Sequence, residues 1–181
     1  MTRFLLWLIG GVVLGGIIHI MVILTLPLLD DDTVWTWIAA LDADNKMVVL
    51  PELAPGEPNP LGLDPVLIYG VCRLDLAQGP GYLSGVLPDA PWSVAIFNAA
   101  GVIIYSTTNR DGIGQTLDLG IFNAAQTRLL AQQQLDVAEG VLVVESASNQ
   151  LFTLVRLIPP HQAMRTRFAN KLAESRCGNR G

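Results

Sequence analysis

Few side chains in this sequence have the chemistry of a catalyst. Two histidines, His19 and His161, and two cysteines, Cys72 and Cys177, are the whole supply of imidazole and thiol among 181 residues. A hydrolase needs a nucleophile, a base and an oxyanion hole. His161 follows Pro159-Pro160 at a helix start, which is a solvent-facing position, and no Gly-x-Ser-x-Gly elbow occurs. One histidine outside the N-terminal segment cannot assemble a histidine-rich zinc site, and two isolated cysteines lack metal-ligand spacing. Gly112-Ile113-Gly114 lacks the rest of any nucleotide fingerprint. Asp42-Ala43-Asp44-Asn45 lacks the glycine and closing glutamate of a calcium loop. Asn109-Arg110-Asp111-Gly112 reads as a turn. The balance leans away from an enzyme, with no catalytic residue, metal or cofactor assigned to the body. A small-ligand pocket, if present, is expected near Arg73, Asp75, Tyr105 and Arg110.

His19 is the exception worth its own account. It lies inside an uncharged run from Phe4 to Leu29, four residues after Gly15. Positions i and i+4 share a helix face, so a small residue there opens space over the imidazole. The arrangement resembles the small-x-x-x-His pattern by which light-harvesting polypeptides ligate bacteriochlorophyll, and by which a helix histidine holds haem. The competing reading is a contact with a neighbouring helix, since polar groups inside a membrane face protein. Gly11, Gly15 and Gly16 would permit that close approach, with Gly11 and Gly15 at small-xxx-small spacing.

The run that carries His19 is long enough to cross a bilayer. A helix rises about 1.5 Å per residue against a hydrocarbon core roughly 30 Å thick. A cleavable signal peptide has a shorter apolar region and a small-residue exit, whereas this run leaves through Thr25-Leu26-Pro27-Leu28-Leu29-Asp30. An uncleaved signal-anchor over residues 1–29 is therefore expected. Arg3 precedes it and Asp30, Asp31 and Asp32 follow it. Positive flanks stay in the cytoplasm. The expected placement is a single pass through the inner membrane of the cell, with residues 30–181 forming one periplasmic domain.

Half of the chain, 51%, is apolar, and net charge is −5. All the acids except Glu174 precede Val155, a stretch whose cations beyond the anchor are Lys46, Arg73, Arg110 and Arg128. Such acidity disfavours nucleic acid, which needs a basic footprint. The tail reverses the sign with Arg156, Arg165, Arg167, Lys171, Arg176 and Arg180. A solvated helix face is its plain explanation, with lipid headgroups or the acidic body as other resting places. An oxidising compartment permits a Cys72–Cys177 disulfide.

The pattern beyond the anchor alternates short strands and turns. A helix is expected over residues 32–40, with Asp32 as N-cap and its tryptophans near the membrane exit. Strands follow at 46–50, 66–76 and 82–87, the second placing Cys72, Leu74 and Leu76 on one face and Arg73 and Asp75, a possible pair, on the other. Residues 51–65 are a Pro/Gly loop. Strands 92–97 and 102–106 flank a turn at Asn98–Gly101, and their continuous apolar character suggests central strands. After a strand at 115–121, Asn123 caps a helix to Gln134. Strands 141–145 and 151–158 read as a hairpin across Ser146–Gln150. A last helix to about Arg176 carries the stripe Met164, Phe168, Leu172. The sum is an α+β, mainly β fold: an antiparallel β-sandwich or roll with two or three peripheral helices.

The segment from Gly70 to Asn109, GVCRLDLAQGPGYLSGVLPDAPWSVAIFNAAGVIIYSTTN, followed by a glycine-rich turn and LDLGIF, resembles the bacterial family catalogued as domain of unknown function 1254. The elements that carry the likeness are Asp75-Leu76, Gly79-Pro80, Pro88-Asp89 and Trp92-Ser93, within roughly Tyr69 to Phe122. Short members of that family place a signal-anchor before one domain and end near a cysteine, as Cys177 does here. The resemblance implies a β-sandwich and no particular activity. Three functions stay open: a non-enzymatic accessory subunit of a membrane protein complex, a ligand-binding or weakly catalytic sandwich, and a pigment- or haem-associated subunit held by His19.

Overall fold

A computed structural model describes residues 2–29, 34–54, 56–110, 115–132 and 140–180. Helix α1 (Thr2–Leu29) is uncharged beyond Arg3 and almost wholly apolar, and every residue from Thr2 to Leu26 is exposed. By length and composition it could cross a membrane, with a mean hydropathy of 2.4 over its best stretch. Helix α2 (Val34–Ala39) follows it. The expected cap, Asp32, lies outside the described residues.

The body is two packed sheets. Strands β1 (Val48–Val49), β2 (Ile68–Asp75), β4 (Trp92–Asn98), β5 (Ile103–Thr108) and β8 (Gln150–Leu157) form the first, in the order β1-β2-β8-β4-β5, antiparallel throughout. Strands β3 (Gly81–Val86), β6 (Thr116–Asn123), β7 (Leu142–Ser146) and β9 (Arg176–Asn179) form the second, in the order β7-β6-β3-β9. Alternation drives the packing: successive side chains on a strand point to opposite faces. Cys72, Leu74, Val94, Ile96, Leu151 and Val155 of the first sheet meet Leu83, Leu117, Leu119, Ile121 and Val144 of the second in one core. The first sheet is covered on its other face too. Ile38 of α2 packs there on Val71 and Phe152, with Trp35 and Phe97 against them. That second contact explains why β2 is buried at nearly every position rather than at every other one.

Three expectations from the pattern fail, each for a long-range reason. Residues 141–158 do not form a hairpin. Strand β7 pairs parallel with β6, and β8 joins the other sheet. A parallel pair needs a crossover, and helix α3 (Ala124–Gln132) supplies it. The Ser146–Gln150 turn carries the chain between sheets. The second failure concerns β5, which is an edge strand with Ile103 57% exposed rather than a central strand. A continuous apolar run reports strand propensity, not position in the sheet. The third is the C-terminus. Helix α4 (Arg165–Ala173) does bury Phe168 and Leu172, but it stops early, and β9 then pairs with β3. The turn into β9 lies against Gly85, where a Cβ would stand 2.7 Å from Ser175 Oγ and 3.2 Å from its Cα. Any side chain at this position would push the Ser175 turn away by a few tenths of an ångström.

Local signals hold where they rest on neighbours in sequence. Asn123 Oδ1 accepts from the backbone N–H groups of Ala125 and Gln126, at 3.1 and 3.0 Å. Asn123→Ala should cost about 1 kcal/mol, read as a lowered urea midpoint with an unchanged m-value. Arg165 shows what one of the tail cations does. Its guanidinium donates to the carbonyls of Pro65, Val66 and Leu67 at 3.0, 3.2 and 2.8 Å and lies 3.3 Å from Glu52. It clamps the Pro/Gly loop to α4 rather than facing solvent.

Candidate functional site

Each candidate residue has a definite place. On α1, Gly15 and Gly16 stand one turn before His19, on the side towards which its side chain leans, and no atom lies within 4 Å of where their Cβ atoms would be. Gly11 stands one further turn back, on the same side as Gly15, and is equally open. With Leu6, Trp7, Gly10 and Leu14 it lines a notch of about 490 Å³. At 3.6 residues per turn, Gly10 and Leu14 lie roughly opposite His19. The small residues thus run along the helix from Gly10 and Gly11 to Gly15 and Gly16 beside His19, with Gly11 and Gly15 one turn apart on a shared face.

Cys72 on β2 and Cys177 on β9 form a disulfide, with Cα atoms 6.4 Å apart. It links the two sheets near one edge of the sandwich, inside the span usual for such bridges.

The four residues expected around one pocket do not converge. Arg73 and Asp75 do not pair. Arg73 lies 3.4 Å from Asp44, and its guanidinium sits 4.5 Å from the ring centre of Trp35. Asp75 Oδ1 instead accepts from the Ala77 N–H and caps a 3-10 turn. Tyr105 pairs with Ile96 and packs against the core. Arg110 follows β5 at the far end of the sheet. Register puts Arg73 beside Phe152, and puts Thr108, two residues before Arg110, in line with Ser93, Arg156 and Tyr69. Arg73 and Arg110 are thus at least roughly 13 Å apart along the strands and about 14 Å across them. A strand pattern states which face a residue takes, not how far two strands are separated in the sheet, so sequence alone could not exclude the grouping.

The Asp42–Asn45 loop is structural. Lys46 donates to Asp42 at 2.6 Å and, by that hydrogen bond and its charge, holds the Asp42 carboxyl below its ordinary value. Asp44 faces Arg73, and Asn45 Oδ1 accepts from the Asn179 N–H at 3.1 Å. Among the described residues no cluster of three metal-ligating side chains occurs.

Two open grooves stand out among the described residues of the body. The larger, about 760 Å³, runs between α4 and the loop after β3, past Asp89, Arg167, Lys171 and Glu174. Charge there is partly compensated internally, since Lys171 donates to Glu174 at 2.7 Å. The smaller, about 370 Å³, lies at one end of the first sheet between Arg110 and Arg156. Arg156 was counted with the basic tail in the sequence. Its position on an interior strand became visible only with the strand order.

Comparison with known proteins bears on the fold alone. No protein-family model matches the chain, and no curated protein matches it. Among solved structures it is similar to the crystal structure of the VPA0106 protein from Vibrio parahaemolyticus, at 14% identity and a TM-score of 0.52 over 65% of this chain. The match spans 28% of the length of that protein. At this identity the likeness is one of architecture.

Proposed function

We propose that this chain is a single-pass protein of the bacterial inner membrane. In this reading α1 is an uncleaved anchor, and the two-sheet body is a periplasmic, non-enzymatic interaction domain for a membrane protein complex. The observation that carries it is α1 itself: a helix of 28 residues whose apolar side chains from Phe4 to Leu26 are exposed on all sides. Water would charge heavily for that surface, at about 25 cal/mol per Å², and a bilayer removes the cost. The Cys72–Cys177 bridge supports an oxidising location for the body. The charge order, Arg3 before the helix and acids after it, supports an inward N-terminus. The small residues Gly11, Gly15 and Gly16 beside His19 suit a close helix neighbour, as small residues do in membranes. A relationship to the domain of unknown function 1254 family belongs to the same proposal, and the sandwich supports it.

The test uses intact spheroplasts of cells making the chain with an N-terminal tag. Added protease should degrade the body and spare the tag, and the tag should stay on the membrane-bound chain. Digestion only after lysis, or a soluble body parted from its tag, would refute the placement. Purification from the same membranes in mild detergent should bring a stoichiometric membrane protein that is lost in Gly15→Leu with Gly16→Leu. A visible absorbance band that vanishes in His19→Ala would instead identify a bound pigment or haem.

A further inference from the structure

Strand β8 is the middle strand of the five-stranded sheet, and its outer face carries an arginine. Register sets Arg156 between Tyr69 on β2 and Ser93 on β4, with Thr108 of β5 next in line. A residue on the central strand has its backbone fixed by a strand on either side. The Nε of Arg156 is buried and has no hydrogen-bond partner among the described residues. Among the described residues no carboxylate lies within ion-pair distance of Arg156, whereas Arg73 has Asp44 and Arg165 has Glu52. A buried donor left unpaired costs free energy and calls for an explanation.

The same place receives a second arginine. Asn109 N–H donates to the Trp92 carbonyl at 3.2 Å, which carries the β4–β5 ladder one residue past Thr108. Arg110 N–H then donates to Thr108 Oγ1 at 3.3 Å. Arg110 and Arg156 share the 370 Å³ groove, with the hydroxyls of Ser93 and Thr108 and the amide of Asn109 between apolar walls at Pro91 and Ile158. Two guanidinium groups, hydroxyl and amide donors and no acid among the described lining residues form a site for negative charge. Planar guanidinium forks match the paired oxygens of carboxylate and phosphate groups. The volume is that of a small ligand or headgroup.

We infer that this groove binds an oxyanion, a phosphate or carboxylate carried on a small and partly apolar molecule, with Arg156 as the central donor and Arg110 closing over it. The group could come from a free metabolite or from an anionic lipid headgroup, since the chemistry is shared. The site does not depend on the placement of α1, so it can fail or succeed separately from the proposal above.

The test is calorimetric titration of the full chain in nanodiscs, with phenyl phosphate and benzoate as probes. At least one should bind with a Kd at or below about 1 mM. Arg110→Gln and Arg156→Lys should each weaken it at least tenfold, while Arg167→Gln in the other groove should leave it unchanged. Arg110 is exposed beyond the strand end, so its variant keeps the test valid if the Arg156 variant loses stability. Equal affinity in phosphatidylcholine and phosphatidylglycerol discs points to a free ligand. An apparent Kd raised by phosphatidylglycerol in the parent chain, but not in Arg110→Gln, points to a headgroup. Absence of binding by both probes in phosphatidylcholine discs, or binding indifferent to both arginines, overturns the inference.

Discussion

Reduction of the Cys72–Cys177 bridge should lower the melting temperature of the detergent-solubilised chain by about 10–20 °C. The two cysteines are 105 positions apart. Closing a loop of that size removes denatured-state entropy equivalent to about 4–5 kcal/mol. For a chain of this length each kcal/mol moves the melting temperature by roughly 2–4 °C. The position adds to the effect. Cys177 lies on the short edge strand β9, paired only with β3, and the bridge ties that strand to β2 in the opposite sheet. Scanning calorimetry with and without reductant measures the shift. The Cys72→Ala, Cys177→Ala double variant should melt near the reduced parent and be indifferent to reductant. A shift under about 2 °C would mean that the sheets hold without the bridge.

Phe152→Ala should be the most damaging single truncation on the outer face, at about 3–5 kcal/mol. Phe152 stacks on Phe97 with ring centres 4.9 Å apart and planes within 6°, and meets Trp35 at 6.3 Å. It also forms the floor beneath Ile38, the one buried residue of α2. A helix of six residues has little stability of its own, so α2 persists because it is docked. Removing the ring should therefore do two things: lower the urea midpoint, and release the amides of Val34–Ala39 to fast hydrogen exchange beyond the general loss of stability. Leu157→Ala removes a buried side chain from the opposite face of the same strand, so its cost of about 2–5 kcal/mol should fall on the global transition alone. If both variants exposed α2 equally, the helix would be held by the main core and not by the Phe152 cluster.

The residues that were readable in advance share one property: their structure depends on near neighbours. The apolar length of α1, the inward alternation of Cys72 and Leu74, the Asn123 cap and the Phe168–Leu172 stripe are all local matters of period and capping. They were legible before any fold was known. The partner of a strand is not local. Whether 142–146 turns back on 150–157 or crosses to lie beside β6 depends on which sheet has an open edge, and the turn residues between them suit either course. Charge contacts follow strand order in the same way. Arg73 found Asp44 from an earlier loop rather than Asp75 from its own strand, and Arg165 found the carbonyls of a loop about 100 positions away. Arg110 and Arg156, 46 positions apart in the chain, became neighbours because β4 and β8 pair. Composition could count the cations. Only the packing of strands distant in sequence could bring two of them to one groove with no acid among its described lining residues.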